Sequence, residues 1–377
     1  MCGYALLARA WGAEVRGWDR VRTPYLGNLP AEVQVEISDE PPVPPEGWEP
    51  FVSTAFAAQI AGRSRAELLA ELVALREAIV VAGAHGKTTT TAMIAFVLRE
   101  LGHDPAFLIG GDVAQLGGNA GAGEGWLVVE GDESDQTVEA LEPQIAVVTN
   151  VDLDHHTTFA SRAEVEELFA RWLAAVPQAV RGVELAPYEG ELAVPGEHNR
   201  HNAAVALAAL EAAGVARADA ERALAGFRGA ARRLERRGES GGVEVFDDYG
   251  HHPTEVAAAL QALRDDGDRR VLVLFQPHLY SRTRHLAREF GGALSAADTV
   301  AVTDVYPARE QPVEGVTGKL IVDALTELRP GLAVAWTPRV EDGATFLVRR
   351  ARSGDRLLTL GAGDVDRAVP LLLQALA

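Results

Sequence analysis

The sequence predicts an α/β architecture of doubly wound, parallel sheets, and three observations lead there. Short continuous runs of Val, Ile and Leu recur at Ile79–Ala82, Trp126–Glu130, Ile145–Thr149, Val271–Phe275, Thr299–Thr303, Leu332–Trp336 and Leu357–Leu360. Continuous rather than alternating apolar strands suit a parallel sheet covered on both faces. Helical periodicity follows several of these runs, and strand–helix alternation is the mark of doubly wound domains. At 377 residues the chain is long enough for two or three domains, each with its own core.

In chain order, Asp39–Pro50 carries five prolines and reads as a surface loop. A helix from Arg65 to about Glu77 leads into the strand at Ile79. Thr88–Leu101 then sets Met93, Val97 and Leu101 on one helical stripe, and Thr254–Leu263 does the same with Val256, Leu260 and Leu263. A break near Gly226–Ala231 precedes an arginine-rich segment and a hairpin turning at Gly241-Gly242. Three domains are placed at 1–78, 79–226 and 227–377.

Composition narrows the function. With 54 acidic residues against 35 basic ones the formal charge is -19, which argues against a nucleic-acid surface while leaving room for a local phosphate pocket. The one cysteine, Cys2, excludes an internal disulfide framework and a Cys-rich zinc site. No apolar run approaches the roughly eighteen residues of a membrane span. Tyr4–Trp11 is too short for a signal peptide and contains Arg9, so a cytoplasmic protein is expected. Of the basic residues only Lys87 and Lys319 are lysines, and a lysine kept in such a chain hints that a compact ammonium is wanted there.

Lys87 lies in the strongest motif, Ile79-Val-Val-Ala-Gly-Ala-His-Gly-Lys-Thr-Thr89. A buried strand runs into Gly83, Ala84, His85 and Gly86, and then Lys87, Thr88 and Thr89 open a helix. Glycines let backbone N–H groups close around phosphate oxygens, and the helix N-terminus adds positive partial charge. Lys87 would neutralise the β- and γ-phosphates and the Thr88 hydroxyl would bind Mg²⁺. The common phosphate-loop pattern has four residues between its glycines, whereas Gly83 and Gly86 are separated by two. An ordinary strand-to-helix turn is the alternative; an ATP site is the better reading.

The shortened loop Gly83-Ala-His-Gly-Lys-Thr-Thr-Thr-Thr91 resembles that of the Mur ligase family, ATP-dependent amide-forming enzymes of peptidoglycan synthesis. Seven further blocks are similar to the family's and follow in its order. They are Glu130-Gly-Asp-Glu-Ser-Asp135, Thr149-Asn-Val-Asp-Leu-Asp-His155, Pro195-Gly-Glu-His-Asn-Arg-His-Asn-Ala203, Asp247-Asp-Tyr-Gly-His-His-Pro253, Phe275-Gln-Pro-His-Leu-Tyr-Ser-Arg-Thr283, Val305-Tyr-Pro-Ala-Arg-Glu310 and Leu360-Gly-Ala-Gly-Asp364. The resemblance implies an architecture of a Rossmann-like N-terminal domain for the UDP-sugar, a central P-loop domain for ATP and a C-terminal Rossmann-like domain for the amino acid.

Residue by residue, it implies that Thr88 and Glu130 hold the Mg²⁺ of the nucleotide and that His155 serves a second one. Glu130 ends a predicted strand, where α/β folds gather ligand groups; Asp132, Glu133 and Asp135 read better as a solvated acidic loop. From the residues alone, the cluster Asp152, Asp154, His155 and His156 is as well explained by a polar turn as by a metal site. Asn199 and Asn202 are implied in the adenine pocket, with helix capping as the plain alternative and His198 free to cap or pack. Asp248 is implied at the ATP ribose. Tyr249, His251 and Arg282 are implied in the amino-acid pocket, where the Arg282 fork suits a free carboxylate. Without the resemblance, Arg282 would read as a surface ion pair and His251 as a satisfied turn histidine.

The implied reaction joins L-alanine to the lactyl carboxylate of UDP-N-acetylmuramate through an acyl phosphate, with ATP and Mg²⁺ as cofactors and closure of the domains during turnover. His251 is the candidate base for the ammonium proton. A monomer or weak homodimer is expected. Two departures from the family stand out. The chain begins at Met1-Cys-Gly-Tyr-Ala-Leu-Leu-Ala-Arg-Ala-Trp-Gly12, similar to the first helix after the family's opening strand and glycine loop, so the N-terminal domain is expected to be truncated. Leu279 stands where some relatives have arginine, which weakens the case for alanine relative to ligase chemistry in general. The rival functions are a sister ligase that attaches a ready-made muropeptide to the same sugar nucleotide, and a non-catalytic ATP-binding relative.

Overall fold

A computed structural model describes the chain except residues 133–136, 153–157, 160, 266 and 309, and the side chain of Pro24. The described chain divides into two compact units. One holds most of the chain up to Arg228; the other holds Val194–Arg200 and Gly229–Ala377.

The first unit opens with helix α1 (Cys2–Ala10) and two small parallel pairs, β1 (Arg16–Asp19) with β2 (Gln34–Ile37) and β3 (Phe51–Val52) with β4 (Arg63–Ser64). Helix α2 (Arg65–Ala74) starts at a capping box: Ser64 Oγ accepts from Glu67 N at 3.1 Å, and Glu67 accepts from Ser64 N at 2.7 Å. Its buried face, Leu69, Leu72 and Val73, joins Leu7 of α1 in one core with the strands that follow.

Those strands are β5 (Ala78–Ala82), β6 (Ala106–Val113), β7 (Gly118–Gly121), β8 (Leu127–Glu130), β9 (Ile145–Val148) and β10 (Gln178–Arg181). They form one sheet in the order β10-β9-β5-β8-β6-β7, parallel throughout except for β7. β5 is buried at every residue and lies between β9 and β8, which places the end of the glycine loop's strand at the middle of the sheet. Helix α3 (Lys87–Glu100) buries every residue from Thr88 to Leu98. Four consecutive threonines are poor helix formers, so burial rather than propensity holds this helix's first turn. Helices α4 (Arg162–Ala175), α5 (Glu197–Ala212) and α6 (Arg217–Leu224) complete this part of the chain.

The second unit begins with the antiparallel hairpin β11 (Glu235–Ser240) and β12 (Val243–Asp248). Its turn residues Gly241 and Gly242 have φ of 57° and 75°, the double positive φ that a two-residue hairpin turn requires. There follow α7 (Pro253–Asp265), β13 (Val271–Phe275), α8 (Tyr280–Leu294), β14 (Thr299–Val302), α9 (Lys319–Leu328), β15 (Ala333–Trp336), α10 (Val340–Val348), β16 (Arg356–Leu360) and α11 (Ala368–Ala375). The sheet order is β11-β12-β16-β13-β14-β15, with β11 the one antiparallel member. Alternation along β13 explains the double winding. Val271, Val273 and Phe275 meet α7, α8 and α9 on one face, while Leu272 and Leu274 meet α10 and α11 on the other.

Every strand named in the sequence reading is present with its ends moved by at most one residue. The sequence reading did not name β6, in which Gly110 and Gly111 dilute the apolar run, or the exposed edge strand β10. No described helix is long and apolar enough to cross a membrane.

Candidate active site

In both sheets the parallel strands end together, and the candidate residues lie at those carboxyl ends. In the first unit Val81 pairs with Glu130 and Ala82 with Val148, so the glycine loop, Glu130 and Thr149-Asn150 emerge side by side. Gly83 has φ 123° and a Cβ there would strike Thr149 Oγ1 and the Asn150 backbone; Gly86 has φ 81° and a Cβ there would strike Asn202 Oδ1. Both positions therefore need glycine on two counts.

Neighbouring groups pin the loop between the two glycines. Asn150 Oδ1 accepts from His85 N at 3.0 Å, Asn150 Nδ2 donates to His85 O at 2.8 Å, and Thr149 Oγ1 donates to the same carbonyl at 2.6 Å. Lys87 Nζ folds back over the loop to Gly83 O at 2.6 Å, with Ala84 O at 3.5 Å. This holds the ammonium at the mouth of the loop, above the N-terminus of α3, where partial positive charge already gathers. Thr89 is buried in that first turn. The other lysine, Lys319, places its ammonium in an exposed ion pair with Asp323 at 2.6 Å.

Thr88 Oγ1 donates to Glu130 Oε2 at 3.2 Å, and Glu130 Oε1 accepts from Gly110 N at 2.5 Å. Two hard oxygen donors thus converge beside the loop on rigid elements, a donor set that fits Mg²⁺ with water and phosphate completing its shell. A Cβ at Gly110 would lie 2.9 Å from Glu130 Oε1 and 3.0 Å from Thr88 Oγ1, which keeps this corner clear. His155, with Glu133, Asp135, Asp154 and His156, lies outside the described residues. Asp132 is described, and it meets Arg65 at 3.5 Å.

Asn199 and Asn202 are both buried and one helical turn apart at the start of α5. Asn199 Nδ2 donates to Pro195 O at 2.7 Å, back to the loop before α5, whereas Asn202 Oδ1 stands against Gly86. His198 is held below the usual histidine range by burial and is therefore the neutral imidazole at pH 7.

In the second unit Asp248 pairs in register with Leu360, and Leu360 with Phe275, which brings Asp248-Tyr249, Gly361 and Gln276 to one edge. Asp248 accepts from Leu234 N and Gly250 N, each at 2.7 Å. Burial nonetheless pushes its carboxyl up to about 6, against the pull of the Arg233 guanidinium and those two N–H groups. Arg233 and Arg232 both sit 5.2 Å over the Tyr249 ring. Arg232 also binds Asp247 at 2.9 Å and donates to Gly361 O and Gly363 O at 2.7 and 3.0 Å, tying the strand end to the loop after β16.

His251 Nδ1 faces two acceptors, Tyr249 O at 3.2 Å and Glu255 Oε2 at 3.5 Å. Two acceptors at Nδ1 suit the tautomer that carries its proton there and has Nε2 as the acceptor nitrogen. Glu255 Oε2 also accepts from His251 N at 2.8 Å and His252 N at 3.2 Å, so one carboxylate both caps α7 and orients the imidazole. Arg282 is 5% exposed, which removes the surface-ion-pair reading, and its Nη1 stands 3.2 Å from His278 Nδ1. His278 in turn stacks on Tyr306 at 5.9 Å and meets the His251 ring at 5.8 Å. Leu279 begins α8 with φ 70° and ψ 134°, and its N–H donates to Tyr306 O at 3.0 Å. Such a backbone in a leucine stores on the order of 1–3 kcal/mol of strain. Tyr249, His251 and Arg282 are thus brought into one histidine-rich cluster with His278 and Tyr306.

Comparison with known proteins decides the family. Residues 81–185 match the Mur ligase middle domain, and residues 232–363 match the Mur ligase glutamate ligase domain. The chain belongs to the Mur ligase family. It is 44% identical to the UDP-N-acetylmuramate–L-alanine ligase of Renibacterium salmoninarum over 83% of this chain and 77% of that one. It is 39% identical to the ligase of the same name from Rubrobacter xylanophilus over 100% of this chain and 97% of that one. Its fold is similar to that of the UDP-N-acetylmuramate-alanine ligase of Thermotoga maritima, with a TM-score of 0.77 at 24% identity over 99% and 96% of the two chains.

Beside the candidate residues stand others to which the sequence analysis gives no role. Thr149 and Asn150 brace the glycine loop, and their place just past a parallel strand is the signal that could have found them. Glu255, Arg232, Arg233 and His278 surround the assigned residues, yet each becomes meaningful only once the fold sets it beside its partner.

Proposed function

We propose that this Mur ligase joins L-alanine to the lactyl carboxylate of UDP-N-acetylmuramate, converting ATP to ADP and phosphate, in the cytoplasmic stage of peptidoglycan precursor synthesis. The observation that carries the reading is the braced glycine loop with Lys87 at its mouth and the Thr88–Glu130 pair beside it. The names and identities of the two curated relatives supply the substrates.

A carboxylate resists attack by an amine, so it must first gain a leaving group. An oxygen of the lactyl carboxylate attacks the γ-phosphorus, ADP departs, and an acyl phosphate forms. The amine of alanine then attacks the acyl carbon, the tetrahedral species collapses with loss of phosphate, and the amide remains. Catalysis of this kind is mainly positioning and neutralisation of phosphoryl charge. Loop N–H groups and the α3 N-terminus would receive the phosphates, and Lys87, now on the loop carbonyls, would neutralise the β- and γ-phosphates. Thr88 and Glu130 would hold Mg²⁺, which supplies further neutralisation of the triphosphate.

In the second unit Asp248 would accept from the ATP ribose, and Arg282 would take the alanine carboxylate through its fork. His251 Nε2 would accept the ammonium proton, with Nδ1–H held by Tyr249 O and Glu255. We assign residues 1–78 to the sugar nucleotide, 79–226 to ATP and 227–377 to the amino acid. The test is ADP release from UDP-N-acetylmuramate and ATP with either L-alanine or an L-alanyl-γ-D-glutamyl tripeptide as acceptor. Release with L-alanine alone is expected; release with the tripeptide alone would make the chain a sister ligase.

A further inference from the structure

We infer that a cleft at the amino ends of the second unit's strands binds a linear oligophosphate. Val271 pairs with Arg356 and Thr299 with Ala333, so Arg270, Asp298 and the turn before β15 line one edge of the sheet. Arg329, Arg349, Arg350 and Arg352 reach the same edge from the ends of α9 and α10, around a cavity of about 610 Å³. The cleft is a strand length, about 15 Å, from the carboxyl end that carries Asp248. It is therefore separate from the site described above.

Charge and geometry identify the ligand. Five guanidinium groups line the cleft against one carboxylate, in a chain whose net charge is -19. Asp298 is already engaged by Arg264 at 2.8 Å and by Val271 N at 2.9 Å. The plain alternative is that the arginines only cap helix carbonyls and pair with acids. Arg270 does pair with Asp355 at 3.1 Å, Arg329 bonds Ala297 O at 2.6 Å, and Arg350 stacks on Phe346 at 3.8 Å. Arg349 and Arg352, however, have exposed side chains without a hydrogen bond or ion pair among the described residues. The ends of α9 and α10 contribute about half a negative charge each, far less than the guanidinium groups supply. Guanidinium forks match phosphate oxygens in pairs, and the volume is that of a nucleotide-sized ligand rather than one phosphate.

The test uses the full chain and inorganic tripolyphosphate followed by calorimetry, in wild type, in Lys87→Ala and in Arg349→Ser/Arg352→Ser. Two sites per chain are expected in wild type, the loop and the cleft, and the cleft alone in Lys87→Ala. The double variant should keep the loop site and lose at least tenfold in affinity at the cleft, with wild-type melting and alanine-dependent ADP release when tripolyphosphate is left out. Competition by ATP in Lys87→Ala would assign the ligand to nucleotides, and its failure to free oligophosphate. The inference is overturned if tripolyphosphate does not bind Lys87→Ala, if the double variant binds it as wild type does, or if Arg284→Ser/Arg288→Ser on the surface of α8 weakens the cleft site equally. This inference does not depend on the ligase reading, because Lys87→Ala disables that site alone.

Discussion

Lys87 and Glu255 show how neighbours fix the place of a single side chain. Lys87 Nζ meets the loop carbonyls of Gly83 and Ala84 and lies outside the apolar core, so Lys87→Ala should keep the fold while losing the chemical step. Circular dichroism and melting should match wild type, and turnover should drop by about a thousandfold or more, the scale on which fixed charges stabilise phosphoryl transfer. Glu255→Gln keeps a carbonyl oxygen for the two capping N–H groups and removes the charge beside His251. Turnover is expected to fall by about tenfold with melting unchanged, whereas Glu255→Ala should also lower stability by about 1 kcal/mol through the lost cap. A Gln variant with full turnover would remove His251 from the base role.

At the scale of elements, strands rich in Val, Ile and Leu were legible because burial on both faces leaves one composition for them to have. β5, β8, β9, β13 and β16 all read directly from the sequence for that reason. β6 was not legible, since its pairing with β8 and β7 stabilises a segment whose glycines argue for a loop. The same contrast holds in the site. Gly83, Gly86, Lys87 and Thr88 adjoin one another in sequence, so their joint chemistry is local. The brace from Asn150, 65 residues away from His85, and the contact of Gly86 with Asn202 exist only in the folded sheet. Gly86→Ala tests that brace: positive φ and the collision with Asn202 should cost roughly 1–3 kcal/mol. Chemical denaturation and ADP calorimetry should show lower stability together with weaker nucleotide binding, whereas an unchanged ADP affinity would mean that the turn does not shape the phosphate site.

Across the whole molecule, buried titratable groups tie stability to pH. Asp248 keeps its proton up to about 6 in the folded chain against 3.8 for the free group, so its contribution is largest in acid and is lost as pH rises through 6. Between pH 5 and 7 that amounts to about 1 kcal/mol. His198 acts in the opposite sense, since a neutral buried imidazole costs stability as pH falls below 6.5. Comparing wild type with Asp248→Asn cancels the histidine. The stability of wild type relative to the variant should rise by about 1 kcal/mol from pH 7 to pH 5, and a pH-independent difference would mean that Asp248 is not held protonated.

All of these groups serve one claim, that the loop grips a triphosphate so that the sugar's carboxylate can be activated by phosphorylation. The most direct measurement follows oxygen. UDP-N-acetylmuramate labelled with ¹⁸O in its lactyl carboxylate is turned over with ATP and L-alanine, and the released phosphate is examined by mass spectrometry. An acyl phosphate route transfers one labelled oxygen to phosphate in each turnover; phosphate released without label, or ADP formed at the same rate without the sugar nucleotide, would contradict the account.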